Sequence, residues 1–407
     1  MTFSNLGLDS IFINAVEKKG YSNPTPVQIK VIPWILKGKD ILASAQTGTG
    51  KTAGFTLPLL QRLSKKKHHP SRSVRALILT PTRELASQVH ENVKEYSVFS
   101  DLKSTVIYGG VGQNPQVRKI RSGIDVLVAT PGRLLDLHSQ RVLHLDKIEV
   151  LVLDEADRML DMGFHREISK IISLLPDARQ NLLFSATFSK DIKSLAQNIL
   201  RHPVNIDTSP ETLTVEAINQ FVFKVDKSRK AELIIKLIKD GAWDQVLVFT
   251  RTKHGANNLC KKMKSCDINA MAIHGNKSQT ARTKALAGFK DGSVNVLVAT
   301  DIAGRGIDIP LLPHVVNFEL PNIPEDYVHR IGRTGRAGSN GEAVSLVSVD
   351  EYAYLDDIQK LISFKIPSEI PDGFQLDPRI TTAPSKKKNR SRSKNSKRSR
   401  KRSGKRR

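Results

Sequence analysis

The chain has 407 residues, of which 39% are hydrophobic and 26% charged, and its formal net charge is +24. This length predicts two or three domains, each with enough apolar side chains for its own core. No apolar run approaches the ~18 residues of a membrane-spanning helix, and the N-terminus has no basic region followed by an apolar stretch. We therefore expect an intracellular, cytoplasmic protein whose positive charge attracts polyanions.

Short runs of branched apolar residues alternate with longer amphipathic stretches. The short runs predict strands, and an amphipathic stretch such as 229–241 predicts a helix. In chain order the predicted strands lie at 40–42, 74–80, 125–130, 148–154, 181–187, 245–250 and 295–300. Such alternation is typical of an α/β fold, in which helices cover both faces of a mostly parallel sheet.

The string VLVAT occurs twice, at 126–130 and at 296–300, and a polar loop containing Gly follows each copy. The repeat predicts two domains of one kind, with ligands at the carboxyl ends of the strands. We place the first domain at 1–207, a linker without a periodic apolar face at 208–217, and the second domain at 218–375.

Residues 376–407 form a predicted disordered tail. Its last 23 residues hold 14 of the Lys and Arg residues, with no acidic and no apolar side chain. Such a segment cannot bury a core. It is either a solvated run without a specific role or a salt-sensitive tether for RNA.

The loop ASAQTGTGKT at 43–52 has the small residues of a phosphate-binding loop. Lys51 would reach the β and γ phosphates of a nucleotide, and the Thr52 hydroxyl would bind Mg²⁺. The other predicted loop contacts are Ala45, Gln46, Thr47, Gly48, Thr49 and Gly50. Ala45 stands where the general pattern has Gly, and a fortuitous Gly/Thr-rich turn is the alternative interpretation.

Three carboxylates lie at and just after the end of the predicted strand at 148–154: Asp154, Glu155 and Asp157. An acidic cluster in this place could be a solvated turn or a helix N-cap. A phosphate loop, however, needs a second strand end with an acid for the metal and a group that orients water. We therefore assign Asp154 to Mg²⁺, partly through water, and Glu155 to polarising the attacking water.

Ten short motifs occur along the chain in a fixed order. They are GYSNPTPVQ (20–28), AQTGTGKT (45–52), PTRELA (81–86), GG (109–110), TPGR (130–133), DEAD (154–157), SAT (185–187), VFTRT (248–252), ATDIAGRGID (299–308) and HRIGRTGR (329–336). With this set the chain resembles the DEAD-box ATP-dependent RNA helicases, most closely the bacterial RhlE-type members, from Phe3 to about residue 375. The resemblance implies two RecA-like domains, ATP and Mg²⁺ as cofactors, and RNA as partner.

For the nucleotide, the resemblance implies that Tyr21 stacks on adenine, that Gln28 reads the N6 and N7 edge of the base, and that Asp308 holds the ribose. It also makes Arg333 and Arg336 arginine fingers at the γ phosphate. From the residues alone, Gln28 could face solvent and the two arginines could form a basic nucleic-acid patch. The residues implied to couple the domains or link hydrolysis to strand separation are Asp157, Ser185, Thr187 and His329.

The implied RNA contacts come from both domains. They are Arg83, Gly109, Gly110, Thr130 and Arg133 in the first, and Thr250, Arg251, Gln279, Arg282 and Thr300 in the second. The stretch 132–140 resembles the helical wedge that bends one strand. Because only 5% of residues are aromatic, we expect backbone contacts with little sequence preference, and 2′-OH contacts that favour RNA over DNA.

We therefore predict an RNA helicase and ATP hydrolase. RNA would stimulate ATP hydrolysis, and the enzyme would unwind short duplexes and remodel ribonucleoprotein, with ribosome assembly or RNA decay as candidate processes. The alternatives are a non-catalytic RNA clamp or annealing chaperone, and a DNA translocase. The joint presence of Lys51, Glu155 and Arg333 favours catalysis.

Overall fold

The computed structural model describes residues 2–45, 49–65, 73–208, 218–304, 312–334 and 341–379. The helices are α1 (Ser10–Lys18), α2 (Pro26–Leu36), α3 (Lys51–Ser64), α4 (Arg83–Tyr96), α5 (Asn114–Arg121), α6 (Pro131–Ser139), α7 (Ala156–Asp161), α8 (His165–Ile172), α9 (Lys190–Ile199), α10 (Lys230–Asp240), α11 (Lys253–Lys264), α12 (Gln279–Lys290), α13 (Asp301–Gly304), α14 (Pro324–Ile331) and α15 (Tyr352–Ile362). Short 3-10 helices lie at Phe3–Leu6, Lys227–Arg229 and Val349–Glu351. Within these ranges no helix is long and apolar enough to span a bilayer.

The strands are β1 (Ile41–Ser44), β2 (Ala76–Leu79), β3 (Ser104–Ile107), β4 (Val126–Ala129), β5 (Val150–Leu153), β6 (Gln180–Ser185), β7 (Val204–Asp207), β8 (Asn219–Lys224), β9 (Val246–Thr250), β10 (Ala270–Ile273), β11 (Val296–Thr300), β12 (His314–Asn317), β13 (Glu342–Val347) and β14 (Ser368–Glu369). They form two seven-stranded sheets, with the orders β3-β4-β2-β5-β6-β1-β7 and β10-β11-β9-β12-β13-β8-β14. Neighbouring strands are parallel; for example, Ala76 of β2 pairs with Val126 of β4, and Val246 of β9 pairs with Val296 of β11.

The two sheets have the same topology. If the second sheet is numbered from its own first strand, its order becomes that of the first sheet. The two copies of the VLVAT string form β4 and β11, which occupy equivalent positions next to one edge. The predicted repetition of one α/β domain is therefore confirmed.

Helices cover both faces of each sheet. Along β2, Ile78 packs in one hydrophobic cluster with Phe12 and Phe55, whereas Leu77 and Leu79 pack in another on the opposite face. In the second sheet the alternate residues of β9 likewise enter two separate clusters. Central strands such as β4 and β5 are buried at every position, which explains why they consist of branched apolar residues.

The seven strands predicted from apolar runs are all present, and the helix predicted at 229–241 is α10. Other strands were not predicted because they are short or carry polar residues: β3, β7, β8, β10, β12, β13 and β14. Residues 209–217 of the predicted linker and 380–407 of the predicted tail lie outside the described residues. Residues 376–379 are described, and the backbone N–H of Asp377 donates to Asp226 at 3.1 Å. Asp377 of the predicted tail therefore contacts the second domain.

Candidate functional site

The carboxyl edge of the first sheet has two functional halves. Strands β5, β6 and β1 are adjacent, and the DEAD, SAT and phosphate-loop motifs follow them. Strands β3, β4 and β2 are also adjacent, and the GG, TPGR and PTRELA motifs follow them. The motifs predicted for the nucleotide and those predicted for RNA therefore lie side by side along one edge, although in the chain the three RNA motifs come between the phosphate loop and the DEAD motif.

The phosphate loop ends at Gly50, directly before α3. Gly50 has a φ of 90°, and a Cβ at this position would lie 2.4 Å from Nε2 of Gln28, so both conformation and space require glycine. Lys51 is buried, and its Nζ donates to the carbonyl oxygen of Ala45 at 2.7 Å. Thr49 and Thr52 are half-buried. The predicted contacts Gln46, Thr47 and Gly48 lie outside the described residues.

A cavity of about 340 Å³ opens beside this loop. The predicted site residues that line it are Tyr21, Gln28, Gly50, Lys51, Thr52, Asp154, Glu155 and Arg333. All but Arg333 belong to the first sheet and its helices, whereas Arg333 follows α14 of the second domain. The cavity therefore combines residues from both domains. Asp308 and Arg336, also predicted for this site, lie outside the part of the chain that the structure describes.

Gln28 is buried at the rim of the cavity, with its carboxamide held by the protein. Its Oε1 accepts from the backbone N–H of Thr25 at 3.0 Å, and its Nε2 donates to the carbonyl oxygen of Gly50 at 3.0 Å. A carboxamide has two donor hydrogens and two acceptor lone pairs, so one of each is left over. Adenine presents a donor at N6 and an acceptor at N7. The remaining pair matches that edge, and the two protein hydrogen bonds fix the orientation of the amide.

Asp154 is a buried carboxylate at the end of β5, only 3% exposed. Its Oδ1 is buried and has no hydrogen-bond partner among the described residues. Burial raises the pKa of Asp154 to about 7, because desolvation outweighs the attraction of Lys51. A buried carboxylate oxygen without a donor, on the wall of a cavity, is suited to a cation or to water bound to one.

Glu155, the next residue, has the opposite electrostatic environment. Burial disfavours its charge, but the cations Arg158, Lys51 and Arg333 outweigh burial and lower the pKa of Glu155 to about 2. Its Oε2 accepts from Nη1 of Arg158 at 2.5 Å. Glu155 has a φ of 53°, a left-handed conformation that is uncommon for residues other than glycine. Sequence analysis did not identify Arg158, because an arginine three residues after a glutamate is usually an ordinary surface pair.

The DEAD and SAT motifs are joined by Asp157. Its Oδ2 accepts from the backbone N–H groups of Ala186 at 3.0 Å and Thr187 at 3.2 Å. The Ser185 hydroxyl in turn donates to the carbonyl oxygen of Thr187 at 2.7 Å. Three of the four predicted coupling residues therefore lie together, while His329 lies on α14 in the second domain.

Helix α14 is anchored by Arg330, which sequence analysis did not identify. Its guanidinium donates to both carboxylate oxygens of Asp301, at 2.6 and 2.9 Å, and to Oδ1 of Asn317 at 3.0 Å. The arginine is 2% exposed, and such a bidentate pair has one defined geometry. This anchor fixes the end of the helix from which Arg333 extends into the cavity.

In the first domain, the predicted RNA residues surround the GG motif. A Cβ on Gly110 would lie 2.1 Å from Nη1 of Arg83, and the φ of Gly110 is 73°, so the arginine lies directly against a glycine. Arg133 donates to the carbonyl oxygen of Val111 at 3.3 Å. Gly109 adjoins this contact, and Thr130 directly precedes α6, the predicted wedge at 132–140.

In the second domain, Gln279 and Arg282 lie at the domain interface. Nε2 of Gln279 donates to Glu84 at 3.0 Å, and Nη2 of Arg282 donates to the other oxygen of the same carboxylate at 2.7 Å. Glu84 belongs to the PTRELA motif of the first domain and is 6% exposed. These two side chains, predicted to bind RNA, are thus placed in a buried contact between the domains. Their binding to RNA stays a prediction.

The other predicted RNA residues of the second domain lie on adjacent strand ends. Thr250 of β9 and Thr300 of β11 are paired in register. Arg251 follows Thr250, and its guanidinium donates to Glu351 at 3.1 Å and lies 5.5 Å from the ring of Tyr354. The charge of Arg251 is therefore already compensated within the domain.

Both domains of the chain match models of known protein families. Residues 25–195 match the model of the DEAD/DEAH box helicase family, and residues 229–338 match that of the helicase conserved C-terminal domain. The chain is 42% identical over 371 residues to the DEAD-box ATP-dependent RNA helicase RhpA of Helicobacter pylori (strain ATCC 700392 / 26695), covering 91% of this chain and 74% of that protein.

Solved structures agree over most of the chain. Dbp5 of S. cerevisiae bound to RNA and ADP BeF3 matches with a TM-score of 0.81 at 32% identity, over 91% of this chain and 96% of that one. A DEAD box protein from the hyperthermophile Methanococcus jannaschii matches with a TM-score of 0.52 at 37% identity, over 91% and 99%. Because its relatives and its two-domain fold agree, the chain belongs to the DEAD-box family of ATP-dependent RNA helicases.

Proposed function

We propose that this chain hydrolyses ATP in the cavity between its two domains, that RNA stimulates the hydrolysis, and that the cycle separates short RNA duplexes and remodels ribonucleoprotein. One observation carries the proposal: Arg333 of the second domain lines the same cavity as Lys51 and Glu155 of the first. A catalytic site divided between two domains is complete only when they are closed.

In this mechanism the chain stabilises charge and orients water. Lys51 and Arg333 balance the negative charge that develops on the transferred phosphoryl group. Glu155 accepts a hydrogen bond from the attacking water through Oε1, because Oε2 is held by Arg158. With a pKa of about 2, Glu155 is ionised at neutral pH, so it orients and polarises water.

Mg²⁺ fits the donors of this site. The Oδ1 of Asp154 has no partner among the described residues, and Thr52, which carries a hydroxyl, lines the same cavity. The described residues contain no group of three or more His, Cys, Asp or Glu side chains that could form a complete protein cage. One or two oxygen ligands, with water and phosphate oxygens as the rest, is the arrangement that Mg²⁺ prefers. The ion would neutralise charge on the β and γ phosphates.

RNA would bind across both domains, at the carboxyl edges of the two sheets. Arg83, Gly110 and Arg133 belong to the first domain, and Thr250 and Thr300 to the second. The hydrogen bonds from Gln279 and Arg282 to Glu84 hold the two domains together. The likeness to Dbp5 bound to RNA and ADP BeF3, with a TM-score of 0.81 over 91% of this chain, supports the arrangement of a complex with both ligands. ATP and RNA would then favour the same state and strengthen each other's binding.

The test is ATP hydrolysis measured with and without single-stranded RNA, together with unwinding of a short duplex. We expect RNA, more than DNA of the same sequence, to raise the steady-state rate, and the duplex to separate only with ATP. A variant with Glu155→Gln serves as the control that binds both ligands without turnover. If wild-type hydrolysis is insensitive to RNA while the chain still binds it, the chain is an RNA clamp. Equal stimulation by DNA would favour a DNA translocase.

We propose that the chain acts in the cytoplasm, in ribosome assembly or in RNA decay. A strain without the gene should accumulate incomplete ribosomal subunits, most strongly in the cold. Unchanged subunit profiles in the cold would exclude ribosome assembly and leave RNA decay, to be tested by transcript half-lives.

A further inference from the structure

A second cavity of about 340 Å³ lies on the flank of the second domain, between α11, β10 and the start of α12. We call it the α11–α12 groove. Its amines belong to Lys261, Lys264 and Lys277, and its lining includes Cys260 and Met271. Among the described residues that line it, none is acidic. The groove is therefore an apolar surface with three cations around it.

Among the residues that the structure describes, none of Lys261, Lys264 and Lys277 forms an ion pair with a carboxylate or a side-chain hydrogen bond. Two of these lysines lie close enough to the thiol of Cys260 to affect its pKa. Burial raises that pKa to about 11, while the charges of Lys264 and Lys277 act in the opposite direction. The nearby imidazole of His274 is also surrounded by cations, since burial and then Lys277 and other positive groups lower its pKa. The charged groups that shift the pKa values of Cys260 and His274 are therefore all cations.

The helices that border the groove begin close to predicted RNA residues. Helix α11 begins at Lys253, two residues after Arg251, and Nζ of Lys253 donates to Asn276 at 2.9 Å. From Lys253, the positions 257, 261 and 264 follow at intervals of four, four and three residues, so they share one face of the helix. At a rise of ~1.5 Å per residue this face is ~16 Å long. Lys277 lies two residues before Gln279, at the other side of the groove.

We propose that the α11–α12 groove is a phosphate-binding subsite for the RNA strand where it leaves the cleft between the domains. This inference rests on the proposed function. Its ligand is the phosphodiester backbone of single-stranded RNA of any sequence, because ammonium groups act on phosphate as point charges and the groove offers few groups that could read a base. The subsite would bind strands that extend beyond the cleft and leave shorter ones unaffected.

The experiment compares two triple variants of the full-length chain. The groove variant carries Lys261→Gln, Lys264→Gln and Lys277→Gln. The control variant removes the same charge from α11 and α12 at exposed lysines that do not line the groove, and carries Lys262→Gln, Lys284→Gln and Lys290→Gln. The basic C-terminal segment is present in both, so its contribution is equal.

Fluorescence anisotropy measures the Kd for a short strand that fills only the cleft and for the same strand extended at either end, over a range of salt. Each phosphate neutralised on a single strand adds about 0.7 to the salt slope. For the extended strand, the groove variant should therefore lose about 2 from the slope of log Kd against log salt, which amounts to about a hundredfold in affinity at 0.1 M salt when the two proteins bind equally at 1 M. Binding of the short strand, and hydrolysis stimulated by it, should not change. The control variant should match wild type.

Wild-type affinity of the groove variant for the extended strand would overturn the inference. An equal loss of affinity for short and extended strands would also overturn it, because the lysines would then act within the cleft or on the stability of the fold. Thermal melting followed by circular dichroism would distinguish these two causes. If tripolyphosphate binds the wild type in a lysine-dependent manner while strand length has no effect, the groove is a site for small polyphosphates instead. Failure of the proposed function would appear separately, as wild-type hydrolysis that no RNA stimulates.

Discussion

Replacing Asp154 by Asn should stabilise the metal-free and nucleotide-free protein at pH 8 far more than at pH 5. Burial raises the pKa of Asp154 to about 7, whereas an aspartate in an unfolded chain titrates near ~3.9. Between these two values the folded state binds more protons than the unfolded state, so the contribution of this group to stability falls as the pH rises. The Asp154→Asn side chain has nearly the same shape and is neutral throughout.

The magnitude follows from the difference in pKa. About three pH units at 1.36 kcal/mol each give a maximum cost of ~4 kcal/mol for ionised Asp154 above pH 7. Between pH 5 and pH 7, where Asp154 in the folded state goes from protonated to half ionised, the cost grows by ~2.3 kcal/mol. The variant should therefore gain ~3 kcal/mol relative to wild type on going from pH 5 to pH 8.

Urea unfolding followed by circular dichroism at the two pH values measures this gain, with a chelator present. Asp177→Asn is the matched control, because its carboxylate is 96% exposed and lies 3.7 Å from Arg201 in a surface pair. The control should show almost no dependence on pH relative to wild type. An equal effect of Asp154→Asn at both pH values, or a loss of stability at pH 8, would refute the assignment of Asp154 as a carboxylate that is costly to ionise without a cation.

Three further predictions concern turnover and coupling. Glu155→Gln should lower RNA-stimulated ATP hydrolysis by about 10² or more while ATP and RNA still bind; normal turnover would make the acidic motif a mere turn. Arg282→Gln leaves Glu84 buried without its cation in the closed state, which costs on the order of 3 kcal/mol. An ATP analogue should then bind as before on its own but should no longer tighten RNA binding. Titrations in which the analogue still tightens RNA binding would contradict this. Gly110→Ala should weaken RNA binding and leave the KM for ATP without RNA unchanged. The new Cβ would displace Arg83, and the left-handed backbone would be strained by about 1 kcal/mol. Unchanged RNA affinity would show that this contact does not serve RNA.

Strands were predictable where burial on both faces demands branched apolar residues. β4 and β11 illustrate this, since both contain VLVA and are buried along that string. β3 and β12 were missed because Ser104, Thr105 and His314 interrupt the apolar pattern. Strand order was also beyond the sequence, because pairing in a parallel sheet depends on crossovers and leaves no local signal.

In the candidate site, the motifs predicted which side chains meet but not what holds them. Lys51, Asp154 and Glu155 line one cavity as the phosphate-loop reasoning requires. The partners Arg158 and Glu84 were not predicted. Glu84 and Arg282 are 198 residues apart in sequence, and only the approach of the two domains brings them into contact. Arg251, Gln279 and Arg282 show the reverse, since the family resemblance implied contacts with RNA and the structure pairs them with carboxylates of the protein.

The most direct measurement is the coupling between the two ligands. The Kd of a short single-stranded RNA would be measured with and without a non-hydrolysable ATP analogue, and the Kd of the analogue with and without that RNA. If one cavity is completed by both domains, each ligand should tighten the other by the same factor, tenfold or more, and Arg333→Gln should reduce that factor in both titrations. Independent binding of the two ligands in the wild type would contradict a nucleotide site that RNA helps to close.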